Sequence, residues 1–352
     1  MDPNLSGEAL TASLVDIPSP SGGETRLADE VEAILRGAGH LHVERDGDAL
    51  MARTEHGRER RVVIAGHLDT VPVAENLPSR RDGDKLYGCG TSDMKAGIAV
   101  MLRLATSVPE PRHDVTWLFY DNEETDAAHN GLGRVLRNAP HWLKADLAVL
   151  MEPTSNRVEA GCQGTLRVLV VVTGRRAHSA RSWLGENAIH GAAEVLRRLS
   201  AYEPRRVEID GCEYREGLNA VRIEGGVSGN VVPDRCTIAV NFRFAPDRTE
   251  EEALAHVQET LAPYECVLTD SAPAAPPRLS EPAAIDFLAA VDGSPQAKLG
   301  WTDVARFAGL GIPALNFGPG DPNLAHTREE YVEVPLIADC ERILRAYLDG
   351  AS

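Results

Sequence analysis

Three short, largely apolar runs each stop on an imidazole or a carboxylate. Val62-Val63-Ile64-Ala65 leads into His67 and Asp69. Asp114 to Tyr120 leads into Asp121-Asn122-Glu123-Glu124, and Leu147 to Met151 leads into Glu152. Runs this short and apolar predict strands buried on both faces. Helix-like stretches lie between them, which predicts an open α/β sheet. Ligands of such sheets gather outside the carboxyl ends of the strands. Polar residues repeated at three strand ends therefore predict a site, since random placement would scatter them along the strands.

The rest of the chain fits around that sheet. Glu24 to Leu35 has helical spacing and stops at Gly37 and Gly39. A glycine-bearing loop (Gly83, Gly88, Gly90) precedes Asp93, and the apolar stretch Met94 to Leu104 predicts the next helix. From about Thr165 the pattern changes to strand 166–173, helix 187–199, strands 219–223 and 236–244, a capped helix from Thr249 to Leu261, and strand 265–268. The order β-α-β-β-α-β is that of a ferredoxin-like unit. Ser271 to Pro277 predicts the hinge back. A helix at 283–291, a short strand at 313–317 and a helix at 337–348 then resume the first texture. A chain of 352 residues exceeds the usual single domain. It divides into a discontinuous α/β domain, 1–164 with 272–352, and an inserted α+β domain at 165–271.

His67, Asp93, Glu124, Glu152 and His326 are the candidate metal ligands, with Asp69 and Glu123 beside them. Two imidazoles with carboxylates suit zinc or its neighbours better than magnesium, which prefers oxygen alone. Five ligands are too many for one catalytic zinc, which takes three and a water. Shared between two ions about 3.5–4 Å apart, they leave room to polarise a carbonyl and activate a water. Glu123, next to a ligand, is the candidate general base. Other hydrolytic and nucleotide-binding signatures are missing from the sequence: no G-x-S-x-G, no G-x-x-x-x-G-K-[ST] and no H-E-x-x-H. A net charge of −17 argues against nucleic acid or an anionic membrane as partner, and requires local arginines for any anionic substrate. No secretory pattern and no span-length apolar run is visible, so cytoplasmic residence is expected. The six cysteines are scattered, without a C-x-x-C pair, so neither a disulfide framework nor a cysteine zinc site is expected, and Cys89 and Cys162 near the site predict buried neutral thiols.

His67-Leu68-Asp69-Thr70-Val71-Pro72, the stretch from Gly88 to Gly97 around Asp93, Asp121-Asn122-Glu123-Glu124 and Met151-Glu152-Pro153 together resemble the M20 metallopeptidases, in order, over about residues 10–348. The resemblance implies a zinc-dependent exopeptidase-like catalytic domain with a ferredoxin-like lid that mediates homodimerisation. It implies two zinc ions per subunit, replaceable by cobalt. Asp93 would bridge them, with His67 and Glu152 completing one position and Glu124 and His326 the other. Glu123 would be base and proton shuttle, Asp69 would orient His67, and the peptide bond after Asp93 would be cis. In the lid, His178 would stabilise the oxyanion in the partner subunit's site. Arg181, Asn230, Arg243 and Thr302 would contact substrate.

Within the family, Arg175 to Ile189, Gly217 to Ala220, Gly300 to Phe307 and Phe317 to His326 are similar to members that cleave the amide of N-succinyl-L,L-2,6-diaminopimelate, an anionic N-acyl amino acid. Two departures bear on the substrate. Gly161-Cys162-Gln163-Gly164-Thr165 stands where many of those members carry a substrate-binding arginine, and the segment Gly300 to Phe307 is one residue longer. The alternatives are other members of the family, namely acetylornithine deacetylases, aminoacylases and dipeptidases, or a relative that has lost activity.

Overall fold

The computed structural model describes residues 1–291 and 293–350. The chain divides into two compact units, Met1–Ala160 with Pro277–Gln296 and Arg306–Ser352, and Gly161–Pro276 with Ala297–Ala305.

In the first unit the three apolar runs form adjacent strands. Arg61–His67 pairs in parallel with Asp114–Tyr120 on one side and with Leu147–Leu150 on the other. Ala314–Asn316 adds a further parallel strand beside Leu147–Leu150. Every residue of Asp114–Tyr120 and of Leu147–Leu150 is buried, as a parallel sheet covered on both faces requires. An antiparallel hairpin, His42–Asp46 with Ala49–Arg53, extends one edge and was not foreseen from the sequence. Its residues mix charged and apolar types without a strand-length apolar run. The helix Ala96–Ser107 is buried from Ala96 through Leu102 without a gap, which explains its nearly uniform apolar composition. Thr25–Gly37 buries one stripe (Leu27, Ala28, Val31, Ile34, Leu35) and Val334–Asp349 another (Ile337, Cys340, Leu344, Tyr347, Leu348). Each fully buried Leu, Val or Ile contributes about 1.5–3 kcal/mol by leaving water.

The expected helix from Met94 begins two residues later. Thr91–Lys95 forms an irregular turn in which Asp93 and Met94 have non-helical backbone angles, and the Asp93–Met94 peptide is cis. Regular helix resumes only at Ala96.

The second unit is a four-stranded antiparallel sheet in the order Gly217–Gly225, Arg235–Phe244, Gly164–Thr173, Glu265–Ala272. Helices Ala188–Ser200 and Glu250–Leu261 cover one face, against Leu166, Val168, Val170 and Val172. Thr249 and Glu252 close the expected capping box. Two features were not foreseen, a hairpin of Arg206–Ile209 with Cys212–Arg215 and a two-residue ladder of Ala177–His178 with Val231–Val232. The unit's bounds differ from the 165 and 271 expected. Cys162 and Ala275 exchange backbone hydrogen bonds of 3.0 Å, and Gln163 N–H donates to the Lys298 carbonyl at 3.2 Å. These bonds draw both flanks and the later segment Ala297–Ala305 into it.

Candidate metal centre

Register fixes which residues meet at the carboxyl end of the first unit's sheet. His67 is opposite Tyr120, and the Leu68 N–H continues to the Tyr120 carbonyl at 2.7 Å. Met151 N–H donates to the Ala65 carbonyl at 2.8 Å, so Glu152 follows at the same level. A close approach sets that level from the helix side. A Cβ on Gly97 would lie 2.6 Å from the Met151 carbonyl oxygen.

His67 is 1% exposed, and its ring bridges two aspartates. Nδ1 stands 3.0 Å from the Asp69 carbonyl oxygen and 3.5 Å from Asp69 Oδ1, while Nε2 stands 3.2 Å from Asp93 Oδ1. The other oxygen of Asp93, Oδ2, is 3.4 Å from His326 Nε2, and that nitrogen is 2.7 Å from Glu124 Oε1. Asp93 therefore stands between the two histidines. Asp69 is fully buried. Its Oδ1 accepts the main-chain N–H of Glu123 at 2.9 Å, and its Oδ2 accepts that of Glu124 at 3.0 Å and the Ser21 hydroxyl at 2.8 Å. It thus holds the histidine and the Glu123-Glu124 turn together.

The electrostatics follow from this packing. Burial disfavours charge on Asp69, but His67 and the N–H groups of Glu124 and Glu123 outweigh it and hold the carboxyl below its usual range. Burial likewise opposes ionisation of Asp93, and the imidazoles of His326 and His67 reverse it. His67 is raised well above an ordinary histidine: burial opposes its charge, and Asp69 and Asp93 overcome that. His326, half exposed, is raised to about 10 by Asp93 and Glu124. The carboxylates of Asp69, Asp93 and Glu124 so close together call for cations.

Donor atoms of His67, Asp93 and Glu152 lie within 4.8 Å of one another, as do those of Asp93, Glu124 and His326, and of His67, Glu123 and Glu124. Two of these three groups share Asp93. An imidazole with two carboxylates in each group is a donor set that fits a divalent ion of the zinc type.

The residues expected in the lid lie in the second unit. The two-residue ladder sets His178 opposite Val231 and brings Asn230 beside it, and the Ser179 N–H donates to the Asn230 carbonyl at 2.9 Å. His178 Nδ1 accepts the Ala180 N–H at 3.0 Å, which leaves the ring proton on Nε2 when the imidazole is neutral. Arg181 is exposed in the turn Ser179–Leu184. Arg243 is half-buried opposite Gly217 and Thr165, with no ion pair among the described residues, and burial lowers its pKa. Thr302 is buried, its carbonyl 3.7 Å from Cys162 Sγ. Cys89 and Cys162 are both buried, and burial pushes the Cys162 thiol up to about 11. Gln163 is buried and donates Nε2–H to the Arg215 carbonyl at 2.8 Å.

Three contributors escaped the sequence. Ser21 holds Asp69, and Glu24 accepts the Asn122 N–H at 3.0 Å. Glu330, four residues beyond His326, is buried under the Asp93 loop. No apolar periodicity marks any of them. Only the closeness of Glu330 to His326 could have drawn notice.

Comparison with known proteins identifies the family. The profile of Peptidase family M20/M25/M40 matches residues 63–350. The chain is 58% identical over 344 residues, 97% of each chain, to a Mycobacterium tuberculosis protein whose name proposes it as a succinyl-diaminopimelate desuccinylase, DapE. It is 50% identical over 351 residues to the succinyl-diaminopimelate desuccinylase of Corynebacterium glutamicum, covering 96% of this chain and 95% of that one. Among solved structures, a Staphylococcus aureus tripeptidase superposes with a TM-score of 0.79 over 97% of each chain at 19% identity. An M20 family metallo-carboxypeptidase from Sulfolobus solfataricus does so at 0.75 over 99% of each at 16% identity. At those identities the likeness concerns the fold.

Proposed function

The chain belongs to peptidase family M20/M25/M40, and on that premise we propose that it hydrolyses the amide of N-succinyl-L,L-2,6-diaminopimelate to succinate and L,L-diaminopimelate, a step toward lysine and diaminopimelate. The observation that carries the chemistry is Asp93 standing between His67 and His326, with Glu124 and Glu152 completing two donor groups.

As an M20 enzyme the protein uses a divalent metal. The finer assignment is two zinc ions, with cobalt accepted in their place. His67, Asp93 and Glu152 would hold one, and Asp93, Glu124 and His326 the other. When bound, such a pair polarises the scissile carbonyl and makes a water more acidic. Glu123 then takes the proton of the attacking water and returns it to the leaving amine. Its main chain is fixed by Asp69, which also orients His67, so base and ligand keep one spacing. His178, with its proton on Nε2, donates to the oxyanion that develops in the partner subunit's site.

The substrate brings several carboxylates to a protein of net charge −17. Gln163 has no guanidinium to offer and is occupied with Arg215, so Arg243 and Arg181 take the carboxylates, with Asn230 and Thr302 as further contacts. Arg243 supports this assignment because it is half-buried without a carboxylate partner among the described residues. The second unit also exposes Val221 and Ile223 on an edge strand, Val227 just after it and Ile189 beside Gly225, which supports a homodimer through this unit. Among the described residues no helix is long and apolar enough to cross a membrane. A biosynthetic role of this kind belongs in the cytoplasm.

The test is a steady-state comparison of N-succinyl-L,L-2,6-diaminopimelate with N-acetylornithine, other N-acyl amino acids and dipeptides. The succinyl substrate should have the highest kcat/KM. A higher value for N-acetylornithine or a dipeptide would replace this substrate with that one.

A further inference from the structure

Glu330 is 2% exposed and lies beneath the loop that carries Asp93. Its Oε2 accepts the Gly90 N–H at 2.8 Å, and its Oε1 accepts those of Ser92 at 2.8 Å and Asp93 at 3.0 Å. Successive main-chain N–H groups converging on one anion form a nest, and here the anion is a side chain of the same protein. The join continues along the backbone. Gly88 N–H donates to the Glu330 carbonyl at 3.1 Å, and the Ser92 hydroxyl donates to the Tyr331 carbonyl at 2.7 Å. Gly90 can enter the nest because its φ is +81° and its side is filled. A Cβ there would lie 2.5 Å from a methyl carbon of Thr70. The nearby Lys95 ammonium donates instead to the carbonyls of Leu14 and Ile17, at 3.1 and 2.8 Å. Among the described residues Glu330 makes no ion pair, and peptide N–H groups alone satisfy it.

One side chain thus grips the amide of Asp93 while its own segment, four residues earlier, supplies His326. We propose that Glu330 is a positioning residue, which aims the Asp93 carboxylate between the two metal positions and sets the affinity of the centre for its second ion. This rests on the assignment of Asp93 as the shared ligand. Glutamine at 330 would keep the shape but turn one acceptor into an NH2 group facing an N–H donor. Relief requires the loop to shift, and Asp93 with it. Aspartate would keep both acceptors but stand one methylene short.

The experiment titrates cobalt(II) into metal-free wild type, E330Q, E330D, D93N and T54A. It follows heat and visible absorption, with the metal-free melting temperature measured separately. T54A removes a buried hydroxyl that donates to Asp114 at 2.9 Å, at the opposite end of the strand leading to Glu123. E330Q should bind the second cobalt about 10- to 100-fold more weakly and alter the absorption of the filled centre. E330D should lose less, and T54A should melt lower with both cobalt affinities and the spectrum unchanged. Wild-type second-cobalt affinity and spectrum in E330Q would overturn the proposal, and so would the same loss in T54A. If E330Q does not fold, wild-type second-site affinity in E330D overturns it equally. Two tight cobalt ions in D93N would show instead that the shared-ligand assignment is wrong, whatever the 330 variants do.

Discussion

Asp69 accepts the main-chain N–H of Glu123 through Oδ1 at 2.9 Å. The same carboxylate faces Nδ1 of His67, so the candidate base and a candidate ligand are referred to one buried side chain. Asparagine at 69 would put an NH2 group against one of the N–H donors of Glu123 or Glu124. A buried donor left without an acceptor costs about 1–3 kcal/mol. Loss of the group that orients a ligating histidine typically costs about 10- to 100-fold in activity or metal affinity. D69N should show both, in urea unfolding and in kcat/KM. Unchanged kinetics in a destabilised D69N would reduce Asp69 to a structural residue.

Glu123 can be separated from the ligands. Donor atoms of His67, Glu123 and Glu124 come within 4.8 Å of one another, so Glu123 could in principle ligate rather than move protons. As a base it should be dispensable for metal binding. E123Q should retain its metal content while kcat falls by about 10²- to 10⁴-fold. Loss of an ion from E123Q, measured by elemental analysis, would make Glu123 a ligand.

Metal uptake should depend on pH with a definite sign. In the metal-free protein His326 keeps its proton up to about 10, and His67 is also raised. Both imidazoles must lose a proton to ligate, so zinc binding at pH 7 should release protons into a weakly buffered indicator solution. Apparent affinity should rise with pH by about tenfold per unit for each proton displaced. Stability of the metal-free protein runs the other way. The folded pKa of His326 is above its unfolded value, so its contribution is complete below about 6.5 and is lost as pH rises toward 10. Half exposure screens that contribution, so the fall in melting temperature should be small. Zinc affinity that did not change between pH 6 and 8 would contradict the ligand assignment.

Gly97 offers a steric test. A Cβ there meets the Met151 carbonyl at 2.6 Å and Met151 Cβ at 2.9 Å, both on the segment that delivers Glu152. G97A should cost about 1–3 kcal/mol through overpacking and weaken the position formed by His67, Asp93 and Glu152. Thermal melts and zinc titration should move together. A melt change with unaltered zinc affinity would detach Glu152 from that position.

The sheet, the ferredoxin-like order and the residues at the strand ends were legible because each depends on local pattern. Val62 to Ala65, Asp114 to Tyr120 and Leu147 to Met151 are uniformly buried and mostly apolar, as a parallel sheet covered on both faces requires. What could not be read depends on contacts between distant parts of the chain. Glu330 meets the amides of Gly90, Ser92 and Asp93 from about 240 positions away, and Ser21 meets Asp69 across 48. A single glutamate or serine in a loop gives no periodic signal. The hairpin of Arg206–Ile209 with Cys212–Arg215 alternates charged and apolar residues over only four positions per strand, too short for a pattern. The cis peptide after Asp93 was implied by the family resemblance, but the extension of the turn through Lys95 was missed for a different reason. Met94 and Lys95 are good helix formers, yet regular helix starts only at Ala96, beyond the Asp93 amide that Glu330 holds.

Reconstitution tests the central claim most directly. Protein stripped by a chelator is loaded with zero, one and two equivalents of zinc per chain and assayed on N-succinyl-L,L-2,6-diaminopimelate. Turnover should be absent in the stripped protein, return on zinc addition and stop increasing at two equivalents. Full turnover in the presence of chelator, or none at any zinc level while another N-acyl amino acid or a dipeptide is cleaved, would contradict the account.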